Sequence, residues 1–266
     1  MGRVWSRDRS DVAGLGVPHT SALRSLRMLG VATVAGIGTG AVVAGLGGRA
    51  IMKVIALTAG PDAIGRSTAN GNTVGDLTAN GTLVLVVFEG IFNGLVGGLL
   101  YLGLRPWLVR LGRWRGVAFG LIALALMGHL VFDSRNFDFR IFGATGVNVG
   151  LFAALFVLYG LALGPVFDLV ERQAGRSRLV AGICWLAVLP GVLMLVVGTA
   201  SAIGGALGQS ADDRRAFGLL LIGTLVAGAI GRVIGVGRPA SVAMIALPVL
   251  VGGFITANEL ARILFG

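Results

Sequence analysis

Residues 85–101 read LVVFEGIFNGLVGGLLY. Seventeen residues in a helix rise about 25 Å, most of the ~30 Å hydrocarbon core of a bilayer. Yet the stretch carries Glu89 and, one helical turn later, Asn93. A carboxylate turned toward lipid is disfavoured by several kcal/mol, so the pair has to face protein. On α-helical spacing Glu89, Asn93 and Gly97 form one stripe at i, i+4, i+8, and Gly90, Gly94 and Gly98 form the stripe beside it. Polar and small residues then share a face that only neighbouring helices can cover. The segment therefore predicts an all-α fold: a polytopic integral membrane helical bundle.

Composition agrees. The 266 residues are 55% apolar and 13% charged, with a mean hydropathy of +0.88, against about 25% charged residues in soluble domains. The net charge of +10 would suggest nucleic acid in a soluble chain. Here the basic residues sit beside apolar blocks, where they orient helices and meet anionic headgroups of the lipid bilayer, so no nucleic-acid partner is expected. The lone cysteine, Cys184, excludes an intrachain disulfide and a thiolate metal cluster.

Apolar blocks predict about seven transmembrane helices, at residues 29–50, 82–104, 116–132, 146–168, 179–203, 217–237 and 240–258. Pro190 is expected to kink the fifth. Residues 1–27 read as a basic N-terminal tail, cytoplasmic and running into an uncleaved anchor, and residues 28–266 as one membrane domain. With the N-terminus inside, fourteen Lys and Arg fall on the cytoplasmic side and eight on the other, as the positive-inside bias requires. The expected location is the cell membrane, multi-pass, with the C-terminus outside.

Glycine supplies 45 residues, more than twice its usual share of about 7%. Many recur four apart: Gly36 with Gly40, Gly90 with Gly94 and Gly98, Gly116 with Gly120, Gly160 with Gly164, Gly231 with Gly235. Lipid gives helices no hydrophobic reason to associate, so such seams let backbones approach and gain dispersion contacts. They serve packing within the bundle, sliding surfaces, or contact with a second copy or a membrane-protein partner.

Glu89 needs a match at its own depth. Arg49 is the preferred partner, with Lys53 and His129 as alternatives, so Arg49, Lys53, Glu89, Asn93 and His129 form a candidate intramembrane polar cluster. Between the first two spans TANG occurs twice, at 68–71 and 78–81, and Asn-Gly is turn chemistry that predicts a small hairpin. After the third span FDSRNFDFRIF, residues 132–142, alternates polar with apolar side chains, which in extended form gives one face of each kind. Asp133, Asn136 and Asp138 make this a candidate outward loop site. Their spacing is not that of an EF-hand, so pairing with Arg135 and Arg140 is expected in place of a metal. Both loops are expected to fold back over the bundle.

Several chemistries are absent from the sequence. The last span has no lysine for a retinal Schiff base, and two histidines, His19 and His129, do not supply a bis-histidine haem site. There is no H-E-x-x-H, no Walker A loop and no G-x-S-x-G elbow. No catalytic residue and no cofactor is assigned, and an intramembrane enzyme is the remotest reading.

The strings GLGGRAIMKVIAL, VGDLTANGTL, GGLLYLGLRPWL and FDSRNFDF together resemble a group of multi-spanning membrane proteins of high-GC bacteria, over roughly residues 30–170. The resemblance implies membrane location and brings no activity to any residue. Two function classes remain. In the first, which the sequence favours, the protein is a binding or scaffolding component of the cell envelope. In the second it is a small transporter or channel, with Glu89, Asn93, Arg49 and His129 lining an outward vestibule. Convergence of the polar residues on a cavity, or their separate pairing, discriminates the two.

Overall fold

The computed structural model describes residues 18–60, 65–66, 79–134, 136, 138–204, 211–236 and 238–266, with side chains omitted at 18–21, 79–80, 88–89, 202–204 and 211–214. Every regular element among the described residues is helical. In chain order α1 (Pro18–Gly40) passes through a π-helical turn, Ala41–Leu46, into α2 (Gly47–Thr58). Next, α3 (Ala79–Leu85) passes through a second π-helical turn, Val86–Phe92, into α4 (Asn93–Leu108). A tight turn, Val109–Trp114, leads to α5 (Arg115–Val131), and the short α6 (Asp138–Ile141) precedes the long α7 (Thr145–Arg176). The chain ends with α8 (Arg178–Leu186), α9 (Val188–Gly204), α10 (Ala211–Ile234) and α11 (Pro239–Phe265).

Six helical stretches among the described residues are long and apolar enough to cross a membrane: Ala22–Thr58, Gly81–Val131, Thr145–Arg176, Arg178–Ser201, Arg215–Ile234 and Pro239–Phe265. The second has 51 residues, which as a straight helix would measure about 76 Å, far beyond the ~30 Å hydrocarbon core. It is not straight, because Gly112 takes φ 54° and ψ −120°, a left-handed conformation open to glycine. The chain doubles back there: Arg105 on α4 and Arg115 on α5 both reach Asp168.

Glycine seams account for the closest helix pairs. A Cβ on Gly36 would collide with the Gly94 carbonyl oxygen, one on Gly40 with the Gly90 carbonyl, and one on Gly98 with the Ala32 carbonyl. Thus α1 and α4 touch backbone to backbone, as small-x-x-x-small spacing allows. On the other side a Cβ on Gly120 would lie 2.6 Å from the Phe156 carbonyl oxygen, and one on Gly160 would meet Gly116 and Gly120, which joins α5 to α7. Gly231 holds the Trp107 ring, whereas Gly235 ends α10 at φ 115° and belongs to no seam. The two π turns also pack together: a Cβ on Gly45 would stand 2.9 Å from the Val86 Cα. Between the seams lies an aromatic centre in which Tyr101 meets Phe119 edge-on at 5.1 Å and Phe167 at 5.3 Å.

Proline explains two irregularities. Pro106 in α4 has no N–H for the Leu102 carbonyl. Arg232 of α10 supplies the donor, its Nη2 bonding the Leu102 oxygen and, at 3.2 Å, that of Gly103. Pro190 likewise leaves the Leu186 carbonyl without its helical donor. The expected mid-span kink is displaced accordingly, with the helix broken at Ala187, between α8 and α9, three residues before Pro190.

Four other expectations change. The helix of the first span starts at Pro18, a favoured first helical residue, so the last part of the basic tail is already helical. Asn80 and Gly81 lie in α3 and make no hairpin turn, because the second span's helix extends back over them; the first TANG lies outside the described residues. The FDFRIF strand is replaced at 138–141 by one helical turn, which Asn136 opens by accepting the Asp138 N–H at 3.0 Å. Finally, the second span is not α-helical throughout, because Glu89 sits in a π turn.

Candidate functional site

One end of the bundle encloses a cavity of about 530 Å³ between α2, α4, α5, α7 and the segment after α5. Its floor follows from the α7 sequence. Phe152, Leu155, Phe156 and Tyr159 fall at i, i+3, i+4, i+7 and so line one face. The Tyr159 hydroxyl donates to the Gly94 carbonyl at 2.8 Å, with the ring lying where a Gly97 side chain would project. Gly97, the third member of the polar stripe, is thus the socket for an aromatic ring. Asn93 begins α4 just beyond the π turn and lines the wall, with Gly48 and Met52 of α2 beside it.

The described residues of 132–142 form the roof, which folds back over the bundle as expected. Phe132 and Phe139 are buried, and the Phe139 ring meets Phe152 at 5.6 Å. The fastenings come from two helices. Glu259 of α11 accepts the Ser134 N–H at 2.9 Å, while Arg140 donates to the Arg262 carbonyl. From α7 the Asn148 amide donates to the carbonyls of Phe139, at 3.4 Å, and Phe142. Asp133 and Asn136, tied by an Asn136 N–H to Asp133 carbonyl bond of 2.9 Å, face the cavity from this roof. Arg135, an expected partner of the loop acids, lies outside the described residues.

Residues from the two sequence clusters therefore meet at one place. Asn93 from the intramembrane group and Asp133 and Asn136 from the loop group line the same cavity. Arg49 and Lys53 flank it on α2, adjacent to Gly48 and Met52. His129 is buried beside it without lining it, its backbone N–H donating to Thr256 Oγ1 at 3.1 Å. Asp138 starts α6 and does not line it either. The Glu89 side chain lies outside the described residues, and with it the expected pair with Arg49. None of Arg49, Lys53, Asn93, His129, Asp133 and Asp138 is without a partner. No three His, Cys, Asp or Glu side chains come together among the described residues, so the cavity offers amide and carboxylate oxygen on an aromatic wall.

Counted along α7, the opposite end of the bundle begins about 24 Å from Phe152, at Asp168. Asp168 accepts from Arg115 at 2.6 Å and stands 3.6 Å from Arg105. Arg105 also grips both Glu171 oxygens, at 2.6 and 3.5 Å, with its guanidinium 4.8 Å above the Phe167 ring. A two-point grip of this kind fits the planar guanidinium fork. Sequence reasoning used Arg105 and Arg115 only for orientation and overlooked Asp168 and Glu171. Their signal was there: two acids three apart, at the end of an apolar run, in a chain with four arginines over residues 105–115.

Compared with protein-family models, curated proteins and solved structures, the chain matches none, and its functional reading rests on this geometry.

Proposed function

We propose that the protein is a small transporter or channel of the bacterial inner membrane, with seven spans, a cytoplasmic N-terminus, an external C-terminus, and the cavity as its outward vestibule. The observation that carries this reading is the convergence of Asn93, Asp133 and Asn136, from a helix and from a loop forty residues downstream, on one cavity. Sites of solute recognition are concave and mostly apolar, with a few convergent polar groups. Reversal at Gly112 divides one of the six apolar stretches into two limbs, which supports seven spans. Leu186, Leu250 and Phe254, each at least 70% exposed, give the bundle the apolar exterior a bilayer requires. The ion-paired Arg105, Arg115, Asp168 and Glu171 close the arginine-rich end, the cytoplasmic one on the positive-inside rule. Scaffolding through glycine seams has less support, because Gly36, Gly40, Gly116 and Gly120 are taken up inside the chain.

The test is accessibility. Asn93→Cys, in a Cys184→Ala background, should react with a membrane-impermeant thiol reagent added to intact cells. A cysteine protected from outside, or reactive only in inverted vesicles, would return the protein to the scaffolding class or reverse its orientation.

A further inference from the structure

Charge is unbalanced at the arginine-rich end of the bundle. The carboxylates described there, Asp168 and Glu171, are both taken by Arg105 and Arg115. On α1, α7 and α8, Arg27, Arg172, Arg176 and Arg178 are left with no carboxylate partner among the described residues. Arg27 matters most, because it is half-buried. Its Nη2 stands 3.4 Å from the point where a Gly175 side chain would begin, which places the guanidinium of α1 across the end of α7. One turn further along α1, a Cβ on Gly30 would collide with the Cys184 carbonyl of α8. Arg27 is therefore wedged where three helices meet. Gly175 precedes Arg176 by one residue and Arg178 by three, so three arginines gather at the α7–α8 turn. A partly desolvated cation without a counter-ion is unfavourable, and the neutralising anion has to come from outside the described chain.

We propose that this turn binds an anionic phospholipid, with the phosphate of one headgroup held among Arg27, Arg176 and Arg178. The inference stands apart from the vestibule reading, since it uses neither the cavity nor a solute. Guanidinium forks match phosphate oxygens two at a time. Basic pockets between helices on the cytoplasmic side are where lipid phosphates are held. The surface beside the turn favours a lipid over a soluble phosphate. Leu179, Ile183 and Leu186, at i, i+4, i+7, run from the turn along an exposed face of α8, and Leu23 and Leu26 are exposed on α1. Acyl chains can lie along that apolar face, which offers nothing to inorganic phosphate. A zwitterionic headgroup brings its own cation to the phosphate and has less to gain from the arginines.

Native mass spectrometry of the full chain in detergent, titrated with phosphatidylglycerol and with phosphatidylcholine of the same acyl chains, measures the preference. One phosphatidylglycerol should be held about tenfold or more tighter than phosphatidylcholine. Arg27→Gln and Arg178→Gln should each weaken it about fivefold and leave phosphatidylcholine unchanged. Arg178 is exposed, so its variant tests the site even if Arg27→Gln fails to fold. Arg110→Gln/Arg113→Gln removes two exposed charges from the α4–α5 turn at the same end, as Arg27→Gln/Arg178→Gln removes two from the proposed site. Only the second pair should abolish the preference. Equal losses in the two pairs would reduce the site to diffuse surface charge, and equal retention of the two lipids would remove it altogether. Displacement of phosphatidylglycerol by inorganic phosphate at constant ionic strength would assign the arginines to a soluble anion. Each of these results overturns the inference.

Discussion

Gly94→Ala adds one methyl group where α1 and α4 touch backbone to backbone. Its carbon would lie 2.8 Å from the Gly40 Cα and nearer still to the Gly36 carbonyl oxygen. Carbon pairs prefer about 3.5–4.0 Å, so α1 and α4 must part by about 1 Å. A gap of that size forfeits roughly a quarter to a half of each ~0.1–0.2 kcal/mol atom pair, or about 2–3 kcal/mol over some fifty pairs along the seam. Alanine recovers about 1 kcal/mol through its higher helix propensity, which leaves a net loss of about 1–2 kcal/mol. Gly38→Ala is the control. It lies on α1 within the same turn as Gly36 and Gly40, and a Cβ there meets nothing within 4 Å. It should be neutral or stabilising by up to about 1 kcal/mol. Reversible unfolding in mixed micelles, titrated with dodecyl sulfate and followed by near-ultraviolet circular dichroism, compares the two directly. Equal shifts for Gly94→Ala and Gly38→Ala would refute the backbone contact.

Two further perturbations use the ion cluster and the proline repair. Asp168→Asn strips Arg115 of its carboxylate while Arg105 keeps Glu171, and should cost about 2 kcal/mol, below the range for fully buried pairs because these side chains are about a quarter exposed. Part of that loss should return in Asp168→Asn/Arg115→Gln, and additive losses would show that the two do not interact in the folded protein. Arg232→Met should cost about 1–3 kcal/mol by leaving the Leu102 carbonyl unsatisfied, and less in a Pro106→Ala background, where a backbone N–H is restored. The same loss in both backgrounds would mean that Arg232 does not stand in for the missing donor.

How far the sequence could be read depended on whether a feature is written in residue types. The glycine seams were legible because a backbone contact needs the absence of a side chain, and Gly36, Gly40, Gly94, Gly116, Gly120 and Gly160 all lie at such contacts. The reversal near Gly112 was legible from the arginine-rich break between two apolar blocks. The π turns were not, since a shift of one residue in hydrogen bonding leaves no mark on composition. Alternation in FDFRIF suggested a strand, yet Asn136 offered a helix start, and Phe139 is buried from a single helical turn. As for the site, Asn93, Asp133 and Asn136 were singled out as two separate groups. Their meeting depends on Tyr159 and on the roof fastened by Asn148 and Glu259, long-range contacts that no local pattern encodes.

The side-by-side π turns have a consequence for how these two helices can change length. A π turn accommodates one residue more than an α turn, and deleting that residue rotates everything beyond it by about 100° and shifts it by about 1.5 Å. In α1–α2 the turn separates Gly36 and Gly40 from Gly48, and in α3–α4 it separates Leu85 from Gly94 and Gly98. With an insertion at the same depth in both helices, the glycine seam on one side and the cavity wall on the other keep their registers together. The two extra residues behave as a matched pair: losing either one would turn Gly48 or the α3 face away from its neighbour, whereas losing both would shorten the helices in step and leave the seam aligned.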